Sequence, residues 1–257
     1  MVEIITIFCG PGPLDRLTPY QQLALGFGAQ EDPRPGDDTD AVEGATAQAT
    51  AAEPPTPAEV MAVRRAEDAE YARFVGASIH FIGLPDAVFR GYEGDTQLMG
   101  LPRADDPAPT GELRAALAEV QPSALYLPLS IGGHVDHRQA RRASTELLFA
   151  LGSLYRDRAV FYEDFPYALN SGFERLDQLD PEFLAALPAG VTMAPEYVDI
   201  EDAMNRKLDG LRAYESQHGR LFGGNDPMGV AVREQAARVG RLGGTGPSER
   251  YWRVGRP

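Results

Sequence analysis

One cysteine in 257 residues closes off two kinds of chemistry. Cys9 has no second thiol to meet, so neither an internal disulfide nor a cysteine-built zinc cluster can form. Basic charge is scarce as well: 24 Lys and Arg stand against 38 Asp and Glu, for a net charge of −14. A surface without excess cations cannot neutralise phosphates, which argues against nucleic acid or an anionic membrane as partner. Long apolar runs are missing too, and none approaches the roughly 20 residues of a membrane span. No leader segment stands out, because Met1 runs almost directly into Ile4-Ile5-Thr6-Ile7-Phe8. A reducing, cytoplasmic setting is the expectation. Histidine is rare, and two of the four in the chain fall in the run Gly133-His134-Val135-Asp136-His137-Arg138.

What is present fits one large domain over 1–257 with ample length for a continuous core. Val2–Phe8 reads as a buried strand, followed by the turn Gly10-Pro11-Gly12-Pro13 and a short helix within 14–27. Residues 29–57 then carry Ala, Asp, Glu, Thr, Pro and Gly with almost no large apolar side chain. Such a stretch cannot offset its chain entropy by burial, and a disordered acidic insertion is expected there. Beyond it come a helix over 58–76, a strand over 78–84, a helix opening at Thr110, a strand over 124–129, a helix over 139–154 and a strand over 160–163. This alternation argues for a parallel sheet with helices on both faces. An edge strand over 191–198 and late helices over 201–217 and 228–239 complete the pattern.

The His134–His137 loop follows the apolar strand 124–129, and open α/β sheets place their ligand sites at such strand ends. Imidazole is a common metal ligand and the usual proton shuttle near neutral pH. The plain alternative is a hydrated loop with Asp136 capping the next helix, and the four residues alone do not decide between the two.

Four separated segments add weight. They are Arg64-Arg65-Ala66-Glu67 with Phe74-Val75-Gly76, Phe81-Ile82-Gly83-Leu84-Pro85-Asp86, Gly133 to Arg138, and Tyr162-Glu163-Asp164-Phe165-Pro166-Tyr167, with a late Tyr214-Glu215-Ser216-Gln217. In this order they resemble the PIG-L (LmbE-like) family of metal-dependent N-deacetylases, which act on N-acetylated amino sugars. The resemblance implies an α/β fold with a three-layer, Rossmann-like, mainly parallel sheet. It implies His137 as a metal ligand, most naturally to zinc although another divalent ion would serve. It implies His134 as the residue that polarises the acetyl carbonyl, with Asp136 orienting that ring. Arg64 and Asp86 resemble substrate contacts. Glu163 and Asp164 stand at a strand's carboxyl end, where a functional role and a turn role are both open, and Glu163 is taken with the substrate contacts.

One departure stands against these matches. The family opens with a strand ending in His-Pro-Asp-Asp-Glu, which supplies two more ligands and the general base, and no such motif occurs here. Val2–Phe8 resembles the family's second strand instead. The expectation is that the first family strand and helix are missing because the chain as given begins late. The competing expectation is a degenerate member that has lost its metal and its base. Cys9 and Asp15 stand at a strand end as conceivable replacement ligands, although core and turn roles suit them better. Either way, a long apolar strand edge should be exposed.

For the remaining residues the bland roles are expected. His80 should be a packed core histidine, His218 a solvated helix-end residue, Arg141 and Arg142 a solvated face, and Trp252 an anchor for the C-terminal segment. The functional expectation is a zinc-dependent hydrolase, impaired as given, that takes an amino-sugar-like small molecule, with homo-oligomerisation left open. Its rival is a non-catalytic sugar- or partner-binding protein on the same fold.

Overall fold

The computed structural model describes residues 1–26, 54–150, 158–169 and 181–255. The acidic insertion expected at 29–57 therefore lies outside the described residues except for 54–57. Helix α2 (Pro57–Val75) starts where expected, following β1 (Val2–Gly10) and the short α1 (Pro19–Ala24) in chain order. Both helices start alike. A threonine accepts from the backbone N–H three residues on, a Glu or Gln at that position reaches back, and proline follows the cap. Gly76 ends α2 in the left-handed conformation, φ 76°, and the chain turns directly into β2 (Ala77–Pro85).

The chain continues through α3 (Asp95–Leu98), α4 (Thr110–Val120), β3 (Leu125–Pro128), α5 (Val135–Ala150) and β4 (Ala159–Tyr162). Then follow α6 (Pro181–Ala186), β5 (Thr192–Asp199), α7 (Met204–Leu211), α8 (Glu215–Phe222), α9 (Asn225–Gly243) and β6 (Ser248–Gly255). The α/β class and its parallel βαβ core are as expected. The strands form two sheets, however: β1 pairs with β2 in parallel, and a second sheet runs β3-β4-β6-β5, with β3–β4 parallel and both pairs of β6 antiparallel. The strand β6 was not foreseen. It turns the C-terminal segment, Trp252 included, from an anchored tail into an inner strand.

Side-chain alternation along β1 fixes the layers. Ile5 and Ile7 pack with Leu113 of α4 and with Ala143 and Leu147 of α5. Thr6, pointing the other way, hydrogen-bonds Asp68 of α2. Helices α2 and α4 therefore cover opposite faces. Because parallel crossovers are right-handed, β3 must lie on the β1 side of β2, so the unpaired edges of β1 and β3 border one seam. The apolar side chains Ile4 to Phe8 are only half-buried. Four-stranded packing is tighter: Phe161 and Leu129 are fully buried, and Trp252 nearly so. No helix among the described residues is long and apolar enough to cross a membrane.

Several single-residue expectations need correction. His80 is half-exposed and bonds Glu3 at 3.1 Å, because the β1–β2 pair leaves that side open. His218 is buried inside α8, its Nε2 2.9 Å from the Leu211 carbonyl. Arg141 is buried rather than solvated, bonding the Leu129 carbonyl at 3.1 Å and lying over the Phe183 ring. Cys9 needs no correction: it is a core residue beside Leu17 and Met61, as expected, with burial pushing its thiol upward, and Asp15 is exposed.

Candidate active site

The site is assembled where the carboxyl ends of β2, β3 and β4 meet at the seam. After β3 the chain makes the tight turn Ser130–Gly133 and enters α5 directly at Val135. Gly132 and Gly133 have φ of 83° and 81°, which favour glycine. Space demands it as well. A Cβ on Gly132 would stand 2.5 Å from Tyr167 Cβ, and one on Gly133 would stand 3.0 Å from the Met99 carbonyl oxygen. The turn is thus clamped between two other loops, and this aims both histidines.

His134 and His137 lie edge to face, ring centres 5.6 Å apart. Tyr167 completes a trio, its ring 5.8 Å from His134 and 5.2 Å from His137. Burial pushes His134 down to about 4, and His137, Arg90 and Arg64 add to the effect, so its imidazole is neutral near pH 7. Its Nδ1 accepts the Asp136 backbone N–H at 3.3 Å, which puts the ring's own proton on Nε2. For His137, burial opposes the charge, but the hydrogen bond and the charge of Asp164 outweigh it and raise its pKa. Burial, with the charges of Asp86 and Asp136, pushes Tyr167 up to about 12, so the phenol keeps its proton.

The expected site residues are brought together unequally. Arg64 of α2 pairs with Asp86 at 3.0 Å, and both lie within electrostatic reach of His134. Asp136 is present, but its carboxylate does not orient the His134 ring. One oxygen accepts the Ala87 N–H at 3.1 Å and the other pairs with Arg90 at 2.7 Å, which ties α5 to the end of β2. Burial and the charge of Asp86 push Asp136 up to about 7, with Arg90 pulling the other way. Glu163 is not brought to the histidines: its carboxylate takes Arg250 and the Trp252 indole N–H beneath the sheet.

Its neighbour Asp164 is. That carboxylate is wholly buried, 2.5 Å from His137 Nδ1 and 3.0 Å from the Ile131 N–H. Arg90, by contrast, was missed. It bonds Asp106 twice at 3.0 Å, takes the Pro85 carbonyl, pairs with Asp136 and lies over the Phe8 ring at 4.5 Å. Nothing in its local sequence, Phe89-Arg90-Gly91, marks it out. Among the described residues no three His, Cys, Asp or Glu side chains gather to hold a metal ion.

Comparison with known proteins gives this geometry a context. The family model for PIG-L, described as GlcNAc-PI de-N-acetylase, matches residues 34–148, which include Arg64, Asp86, His134 and His137. The resemblance read from the motifs is borne out, and with it a deacetylase, hence a hydrolase, at the level of the family. No curated protein matches the chain. Among solved structures, the A40926 pseudoaglycone deacetylase Dbv21 is 22% identical, with a TM-score of 0.64 over 99% of this chain and 85% of that one. The zinc-inhibited form of the teicoplanin deacetylase Orf2 is 17% identical, with a TM-score of 0.66 over 100% and 88%. A deacetylase–teicoplanin complex is 18% identical, with the same score and coverage. At these identities the likeness establishes the fold.

Proposed function

We propose that this chain, with its PIG-L match running through the His134–His137 helix, is a hydrolase that removes the acetyl group from an N-acetylated amino sugar or a similar small amide. The carrying observation is the meeting of His134, His137, Tyr167 and the Arg64–Asp86 pair at one sheet rim. His134 is neutral and carries its proton on Nε2, so it donates to the acetyl oxygen and stabilises the oxyanion that forms there. Arg64 and Asp86, a cation and an anion side by side, suit a ring of hydroxyl groups. Tyr167, always protonated, adds a donor over both imidazoles. A deacetylase of the same fold has been solved in complex with teicoplanin.

The resemblance implies zinc or another divalent ion, which would supply an activated water, with His137 as one ligand. A catalytic zinc takes about three protein ligands. The described residues do not gather that many, so by themselves they do not fit the ion. A cytoplasmic setting belongs to the same proposal.

The test is release of free amine from a glycoside of N-acetylglucosamine, with and without added divalent ion. His134→Ala should lower kcat about 100-fold to 1,000-fold, as removal of one oxyanion donor does, and leave KM nearly unchanged. Binding of the glycoside without any amine release would sink the hydrolase reading. It would favour the non-catalytic sugar- or partner-binding protein on the same fold.

A further inference from the structure

Asp164 spends both oxygens inside the protein, and the two partners differ in a way that decides where a proton sits. Its side chain has no exposure. Oδ2 accepts the Ile131 N–H at 3.0 Å. That donor cannot move, because its turn is held by the Leu129 N–H on the Tyr162 carbonyl at 2.9 Å and the Gly133 N–H on the Ser130 carbonyl at 3.1 Å. Oδ1 stands 2.5 Å from His137 Nδ1. An ionised carboxylate only accepts, so the imidazole nitrogen facing it must carry a hydrogen.

We propose that Asp164 is the positioning residue that keeps the proton of neutral His137 on Nδ1 and so presents a bare Nε2 lone pair to the cleft. The proposal rests on the deacetylase reading for its purpose, since hydrolysis of an amide calls for an acceptor atom in the cleft that can take a proton from the attacking water. It rests on geometry for its content. A third of the His137 side chain is accessible, and the Nδ1 edge is taken up by the buried carboxylate. Tyr167 meets the ring edge to face and helps hold its plane. Such partners of a histidine fix both its tautomer and its direction. The resemblance assigned the orienting carboxylate to Asp136, acting on His134. The structure gives an orienting carboxylate to Asp164, acting on His137.

Asp164→Asn makes the test sharp, because asparagine has nearly the same shape but one acceptor oxygen. The immobile Ile131 N–H claims that oxygen, and the amide NH2 then faces His137 Nδ1. Two donors cannot face each other, so the ring proton must move to Nε2. Long-range ¹H–¹⁵N spectra of histidine-labelled protein, at a pH where the ring is neutral, read this directly, and His137→Gln assigns the signal. Wild type should show a protonated Nδ1 and a bare Nε2, and Asp164→Asn the reverse. A proton on Nε2 in wild type, or an unchanged tautomer in the variant, overturns the proposal. Should the variant not fold, the wild-type spectrum still decides.

Amine release separates the two readings. A fall of about 10-fold to 100-fold in kcat with KM held, the usual range for such supporting partners, supports both. An inverted tautomer with undiminished release overturns the link between Nε2 and the reaction. The expected tautomers in a protein that releases no amine overturn the deacetylase reading and leave the role of Asp164 intact.

Discussion

Strand β1 of the two-stranded pair and strand β4 of the second sheet are both strongly apolar, yet only β4 buries most of its side chains. Ile4 to Phe8 of β1 remain half-buried, whereas Phe161 of β4 is fully enclosed. Composition does not explain the contrast. Neighbours do, because β4 and β6 are paired on both edges and β1 on one. Helices cover both faces of β1, but a helix cannot shield the flank where a strand is wanting. The candidate active site lies across this difference. Arg64 and Asp86 come from the open pair, and His134, His137, Asp164 and Tyr167 from the closed sheet.

Truncations should expose the contrast most strongly. Phe161→Ala should cost about 4 kcal/mol, as full removal of a buried aromatic does. Ile7→Ala should cost about 1 to 2 kcal/mol, because less surface returns to water. Urea unfolding of both variants measures the gap, and equal costs would mean the seam is closed in solution.

A pH effect comes next. The His134 pKa is about 4 in the folded chain against 6.5 when unperturbed, so between these values the unfolded chain binds the extra proton. Stability must then rise with pH from about 4 to about 6.5, by about 3 kcal/mol in all. His134→Gln should flatten that rise relative to wild type in melting curves taken across the window. An unaltered slope would place the titration elsewhere.

The seam itself offers a smaller effect than the histidine and a more local one. Asp136→Ala removes a partner from the Ala87 N–H and from Arg90, but Arg90 keeps both bonds to Asp106. A loss of about 2 kcal/mol is expected, below the usual cost of stranding a buried charge. Hydrogen exchange should quicken in β1 and β2 before β4 and β6. Uniform loss of protection would show the two sheets unfolding as one.

Much of this was legible in the sequence. Strands β1 to β4 announce themselves as short apolar runs between turn residues, and the two histidines stand out by scarcity and spacing. Strand β6 did not, because Glu249, Arg250 and Arg253 break up the apolar run that marks the other strands. Their charges are met by Lys207, Glu163 and Glu196, far away along the chain. The choice between Glu163 and Asp164 was open to a simple count. Glu163 is two residues from Phe161, so it shares the face that packs on Trp252. Asp164, just past the strand, was free to turn back to His137. Arg90 gave no sign, since its role depends on the loop that delivers Asp106.

The place of β6 bears on how the molecule is made. A strand that occurs last in the described chain lies between β4 and β5, and 87 residues separate Arg250 from its partner Glu163. During synthesis β4 and β5 therefore emerge well before the strand that joins them. Until residues 248–255 are out, two apolar edges wait unpaired and open to wrong partners. The step that completes this sheet is the closing of a long loop, which slows folding more than it weakens the result. Chaperone dependence and slow maturation would originate there, far along the chain from His134 and His137.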